Sequence, residues 1–170
     1  MDNLLNVDLY TDGACSGNPG MGGWAYILLC IGKKKECSGF CLDTTNNKME
    51  LQAVIEGIKA LKKPCNLTIY SDSAYVCDAF NGKWIDNWLV NGFKNSKNQP
   101  VSNKELWLEL LELLKKYNYK FIKVKGHADN EFNNMCDKMA TGEIKKFKEK
   151  LATLNLNDSD TTINNSTDKN

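Results

Sequence analysis

Val7-Asp8-Leu9-Tyr10-Thr11-Asp12-Gly13-Ala14-Cys15-Ser16-Gly17-Asn18-Pro19-Gly20 is the stretch on which the reading of the fold turns. Leu5, Val7 and Leu9 alternate with Asn6, Asp8 and Tyr10, the period of a half-buried strand. Thr11 prolongs the β-favouring run, and Asp12 stands where the strand is expected to give out. Gly13, Gly17, Pro19 and Gly20 then predict a sharp turn. A carboxylate at the end of a strand, ahead of a glycine-rich turn, is a common way to aim an acid into a crevice. Asp is also an ordinary turn starter, so the rest of the chain has to decide between the two roles.

Outward from this stretch, Trp24 to Ile31 is rich in strand formers, Gly32-Lys33 breaks it, and Lys35 to Cys41 returns as its hairpin partner. Three consecutive strands predict an antiparallel meander. Thr44-Thr45-Asn46-Asn47-Lys48-Met49-Glu50 reads as a helix start with a capping-box-like pattern. Val54, Ile55, Ile58 and Leu61 share one face of that helix, and Pro64 stops it. Leu67 to Ser71 is a short strand ending at Asp72, and a helix follows from Ser73 to about Phe80. This strand–helix succession predicts parallel pairing with right-handed crossovers. Gly82 to Asn103 reads as a short helix and a protruding loop carrying Trp84, Trp88 and Phe93. Ser102 is placed to cap a helix with Leu106, Trp107, Leu110, Leu111 and Leu114. Phe121 to Lys125 is the last strand, Gly126 to Asn130 a loop, and the final helix carries Phe132, Met135, Cys136, Met139, Ala140, Ile144 and Phe147 on one face.

A chain of 170 residues suits one domain with a proper core and a tail. The domain is expected to span residues 1–151. Residues 152–170, rich in Asn, Asp, Ser and Thr, are expected to be a disordered tail. No apolar run reaches membrane-spanning length, and the N-terminus lacks a secretory pattern, so a cytoplasmic location is expected. A net charge of +1 means that a nucleic-acid binder would depend on local basic clusters. The seven cysteines form no C-x-x-C pair and there is one histidine, which disfavours zinc and a disulfide framework. Free thiols in apolar runs fit a reducing compartment.

Four acids stand where local structure does not require them. Asp12 and Asp72 end strands, Glu50 opens a helix, and Asp137 lies among the apolar positions of the last helix. In an α/β sheet the carboxyl ends of neighbouring parallel strands converge on one crevice. Four carboxylates there would repel unless a cation sat among them. Oxygen ligands of this kind suit Mg2+ or Mn2+, and two such ions about 4 Å apart are usual machinery for phosphodiester displacement. The alternatives are four unrelated surface acids and, for Glu50, simple compensation of the helix dipole.

Several motifs in one order make the chain resemble the type 1 ribonuclease H family. They are Tyr10-Thr11-Asp12-Gly13 with Gly17-Asn18-Pro19-Gly20, Thr44 to Leu51, and Ser71-Asp72-Ser73 with Tyr75-Val76. Trp84-Ile85, Asn87-Trp88, Val124 to Ala128, and Asn133 through Cys136-Asp137 complete them. The resemblance implies an α/β fold, a ribonuclease H-like mixed five-stranded sheet flanked by helices. It implies endonucleolytic cleavage of the RNA strand of RNA–DNA hybrids by two-metal catalysis, leaving 5′-phosphate and 3′-hydroxyl ends. Asp12, Glu50, Asp72 and Asp137 match the metal-binding catalytic acids, and His127 matches a loop histidine that assists proton movement or product release. A lone histidine in a Gly-flanked polar loop also suits titration near neutrality. Asn18, Thr45, Asn46, Asn47, Trp84, Trp88 and Asn133 match substrate-contacting positions. Asn18 equally suits a turn, Thr45 to Asn47 equally suit helix caps, and the tryptophans equally suit local core. The hybrid is the implied partner, with no membrane and no obligate protein partner; a free-standing monomer is expected.

Two departures stand out. Ala74 occupies a place where the family often has Gln, and Leu89-Val90-Asn91 occupies the place of a basic cluster in the family's protruding handle. Lys83, Lys94, Lys97 and Lys104 are the cations left in that region. The competing readings are a related two-metal nuclease or recombinase of the same fold, a non-catalytic hybrid-binding module, and a domain of a reverse transcriptase polyprotein.

Overall fold

The computed structural model describes residues 4–125 and 130–167, with side chains described through residue 155. Its order is β1 (Asn6–Gly17), β2 (Gly20–Cys30), β3 (Lys33–Thr44), α1 (Asn46–Lys59), β4 (Asn66–Ser71), α2 (Ala74–Asn81), α3 (Trp84–Asn91), α4 (Lys104–Leu114), β5 (Asn118–Lys123) and α5 (Glu131–Thr167). One five-stranded sheet runs β3-β2-β1-β4-β5. The first three strands form the antiparallel meander, and β4 pairs parallel with both β1 and β5. The mixed sheet is therefore the expected one.

Alternation along the strands builds a core on each face. Val7 and Leu9 of β1, with Tyr26 and Leu28 of β2, face a large core closed by Leu51, Val54, Ile55 and Ile58 of α1 and Trp107, Leu110 and Leu114 of α4. Ala25 and Ile27 face the other side, where Cys136 and Ala140 of α5 close a smaller core beside Tyr10 and Phe132. Each fully buried Leu or Ile side chain contributes about 1.5–3 kcal/mol. Gly23 lets α5 approach closely, because a Cβ there would collide with the carbonyl oxygen of Ala140. All seven cysteines are free.

Four boundaries differ from the sequence reading. β1 does not give out at Asp12 but continues to Gly17, with Asp12 paired to Ala25. Gly13 is there for close packing, since a Cβ would collide with the backbone nitrogen of Glu50. The turn comes at Gly17, which has φ 85°, and Asn18-Pro19 is a cis peptide. At α4 the cap is Asn103, in the left-handed region with φ 60°, and not Ser102, whose carbonyl accepts from the Tyr75 hydroxyl at 3.3 Å. β5 begins at Asn118, ahead of the expected Phe121. Residues 152–167, expected as a disordered tail, instead continue α5 to Thr167. No glycine or proline interrupts the chain between Glu143 and Thr167.

Candidate active site

Parallel pairing of β1 with β4 ends at Tyr10 and Tyr70, so Asp12 lies just past the carboxyl end of the parallel strands although β1 itself continues. Asp72 follows the last residue of β4, and Ser73 then caps α2 by accepting from Val76 N at 3.2 Å. Glu50 enters from the first turns of α1. The cap of that helix is Thr45, whose hydroxyl accepts from Lys48 N at 3.2 Å. Glu50 plays no part in a capping box; its side chain is buried. Capping by Thr45 and close passage at Gly13 together press the Glu50 carboxyl toward Asp12.

One ligand oxygen from each of Asp12, Glu50 and Asp72 lies within 4.8 Å of the others. Asp12 is 3% and Glu50 4% exposed. Asp12 Oδ1 accepts from Gly13 N at 2.9 Å, whereas Glu50 Oε2 is buried with no hydrogen-bond partner. Burial first, then the Asp72 charge, pushes the Asp12 carboxyl up to about 8, with Asp137 adding to the rise. Burial, with Asp12 and Asp72 next, also holds Glu50 well above the usual carboxylate range. Three carboxyls so close, two of them shielded from water, are short of positive charge. Hard divalent cations bind such oxygen sets, and the orphaned Glu50 oxygen fits a ligand role.

Asp137 lines the same cleft, of about 370 Å3, but stands outside the tight trio. Asn46, Asn47, Ser73, Ala74 and Tyr75 line it too. Asn18 Oδ1 accepts from Asn46 N at 3.2 Å, tying the β1–β2 turn to the start of α1. Thr45 acts as the helix cap. Asn133 is 2% exposed and its Oδ1 is buried without a partner, so its burial does not favour the direct substrate contact expected of it. Trp88 packs against Trp107 with ring centroids 5.3 Å apart and Phe93 is buried, which favours the core role for both. Trp84 is exposed and stays available. His127 lies outside the described residues. Ser73 and Tyr75 line the cleft without carrying a side-chain signal of their own in the sequence; their place directly after Asp72, in the cap and first turn of α2, is what points to them. Tyr75 is held in position because its hydroxyl accepts from Trp107 Nε1 at 3.0 Å and Asn103 Nδ2 at 3.1 Å.

The chain matches the RNase H family model over residues 5–145. It is 58% identical over 145 residues to a ribonuclease H of Thermoanaerobacter sp., covering 85% of this chain and 94% of that one. It is 55% identical over 147 residues to a ribonuclease H of Acetivibrio thermocellus, covering 86% of this chain and 100% of that one. Among solved structures, LC9-RNase H1, a type 1 RNase H with the type 2 active-site motif, aligns with TM-score 0.74 at 23% identity, over 84% of this chain and 73% of that one. LC11-RNase H1, crystallised with an RNA/DNA hybrid, aligns with TM-score 0.62 at 20% identity, over 82% of this chain and 97% of that one. The structural likenesses speak for the fold. With the sequence identities and the matched span they establish that the chain belongs to the ribonuclease H family of endoribonucleases.

Proposed function

We propose that this protein hydrolyses the RNA strand of RNA–DNA hybrids endonucleolytically, leaving 5′-phosphate and 3′-hydroxyl ends. The observation that carries the reading is the cluster of Asp12, Glu50 and Asp72, with its orphaned buried oxygen. With Asp137 beside them, these acids would hold two divalent cations, Mg2+ or Mn2+. Bound there, the cations would supply Lewis-acid polarisation of the phosphate, a lowered pKa for the attacking water and charge for the departing 3′-oxygen.

The chain's own residues do the rest. Gly13 N–H fixes one Asp12 oxygen, and the packing of Gly13 against α1 fixes Glu50. Asn46 and Asn47 flank the acids in the cleft, and Asn18 is braced against Asn46. Small polar side chains of this kind can read 2′-hydroxyls across the wide minor groove of the hybrid. The positive end of α1, capped by Thr45, suits a DNA-strand phosphate. His127, between β5 and α5 in the sequence, would move a proton near neutral pH. Residues 1–151 would carry this activity in a cytoplasmic monomer needing no protein partner. No helix among the described residues is long and apolar enough to cross a membrane.

The test is a hybrid labelled on either strand, incubated with Mg2+ or chelator beside single-stranded RNA, double-stranded RNA and duplex DNA. Product ends are read by whether a ligase or a phosphatase acts on them. Cutting of duplex DNA would favour the related nuclease, and binding without cutting the non-catalytic module.

A further inference from the structure

The catalytic cleft does not stop at the acids. Asp12 and Gly13 of β1 line it, and the next β1 residues, Ala14, Cys15 and Ser16, line a second cleft of about 620 Å3. Along α5 the same handover occurs: Asp137 lines the first cleft, and Thr141, Ile144, Lys145, Lys148 and Ala152 line the second. Positions 137, 141, 145, 148 and 152 follow the three- and four-residue spacing of one helix face. The two clefts are therefore consecutive parts of one seam between β1 and α5.

The seam changes chemistry along its length. At one end are four carboxylates; at the other are Lys145 and Lys148, with the hydroxyls of Ser16 and Thr141 and one acid, Glu149, on the lining. Lys148 Nζ donates to Ser16 Oγ at 2.9 Å, which draws its charge over the hairpin. That hairpin carries Asn18 and is braced on Asn46 beside the acids. At 1.5 Å per residue, Lys145 and Lys148 lie about 12 and 16 Å along the helix from Asp137. A strand whose scissile phosphate sits among the acids would bring its neighbouring phosphates past this point.

The chain also needs cations somewhere. It has no arginine, all 22 of its cationic side chains are lysine, and its handle lacks a basic cluster. In place of that cluster α3 exposes Leu89 and Val90. The family match ends at residue 145, three residues before Lys148.

We infer that the seam between β1 and α5 extends the substrate track: Lys145 and Lys148 bind RNA-strand phosphates a few nucleotides from the cut, with Ser16 and Thr141 facing the sugars. This rests on the hybrid-cleaving function proposed above. Phosphate neutralisation supplies most of the sequence-independent affinity for nucleic acid. Lysine acts in it as a mobile point charge and needs no fixed fork geometry. Release of Lys148 from Ser16 to a phosphate exchanges a neutral acceptor for an anionic one, which strengthens its hydrogen bond.

The test measures binding of a labelled RNA–DNA hybrid in chelator, by anisotropy, across a salt series. Wild type is compared with the Lys145→Gln/Lys148→Gln variant and with Lys33→Gln/Lys34→Gln, which removes equal charge on β3, away from the seam. Loss of two phosphate contacts should make the slope of log affinity against log salt shallower by about 1.8. The β3 variant should keep nearly the wild-type slope. A hybrid with neutral methylphosphonate linkages in the RNA strand near the cut should erase the difference between wild type and the seam variant. Equal slopes for wild type and the seam variant, or equal losses in both variants, would overturn the inference. Wild-type cleavage of the hybrid in Mg2+ is run in parallel. If that fails, the functional reading is at fault; if it succeeds while the slopes are equal, the seam alone is.

Discussion

Replacing Asp12 with Asn should make the protein more stable at alkaline pH while abolishing metal-dependent cleavage. Asp12 is 3% exposed, and burial with the Asp72 charge raises its carboxyl from 3.8 to about 8. Unfolded, the same group titrates near 4. Between those values the folded chain holds a proton that the unfolded chain has released. The folded state thus binds more protons, and stability falls as pH rises through this window. The contribution is fully present below about pH 4 and gone above about pH 8. From pH 5 to pH 8 the wild-type protein should lose up to about 4 kcal/mol from this group, at 1.36 kcal/mol per unit. Asn at position 12 has no proton to lose. The stability of Asp12→Asn relative to wild type should therefore climb by up to about 4 kcal/mol over that range. For a chain of this size that corresponds to roughly 10 °C in Tm. The assay is thermal or urea unfolding of both proteins in chelator at pH 5, 6, 7 and 8. An offset that stays constant with pH, or that turns against the variant at pH 8, would refute the reasoning. Adding Mg2+ at pH 8 should raise the wild-type Tm and narrow the gap.

His127→Ala should slow hybrid cleavage by about 10²- to 10⁴-fold without abolishing it, since proton transfer by a positioned side chain is worth about that much; an unchanged kcat from pH 6 to 9 would leave His127 no part in the chemistry. Gly23→Ala should destabilise the fold by roughly 1–3 kcal/mol, because its Cβ would meet the Ala140 carbonyl and push α5 off the sheet. Urea unfolding measures that loss, and hybrid cleavage should fall with it because α5 carries Asp137; full stability would mean that α5 packs differently. Leu89→Lys/Val90→Lys on the exposed face of α3 should lower KM for hybrid and steepen the salt dependence by about one unit per new contact. An unchanged salt series would place α3 away from the substrate.

Most of the fold could be read from the sequence because binary patterning and turn chemistry agreed. The meander, the α1 cap region, the stop near Pro64 and the parallel β4 follow from alternation and helix signals that no distant contact overrides. The errors arose where a local signal had a tertiary cause. Gly13 looked like part of a turn, but its missing side chain makes room for α1, and β1 runs straight through it. Glu50 looked like a cap partner because spacing cannot reveal that the sheet buries its carboxyl beside Asp12. Asn133 matches a substrate-contacting position of the family, and its burial, which spacing does not show, leaves that role open to test. For Trp88 and Phe93 the sequence leaves core and substrate roles both open, and Trp107 packs against the Trp88 ring. The extension of α5 is not legible in the sequence because Asn, Asp, Ser and Thr signal weak helix propensity, which says nothing of a helix already nucleated on the sheet.

The central claim is that the acid cluster at the end of β1 and β4 makes this chain a cutter of RNA paired with DNA. Its most direct test is one gel: wild type and Asp12→Asn, each with a hybrid labelled separately on the RNA and DNA strands, in Mg2+ and in chelator. The expected result is cleavage of the RNA strand alone, by wild type alone, in Mg2+ alone. Cleavage of the DNA strand, cleavage in chelator, or undiminished cleavage by Asp12→Asn would contradict it.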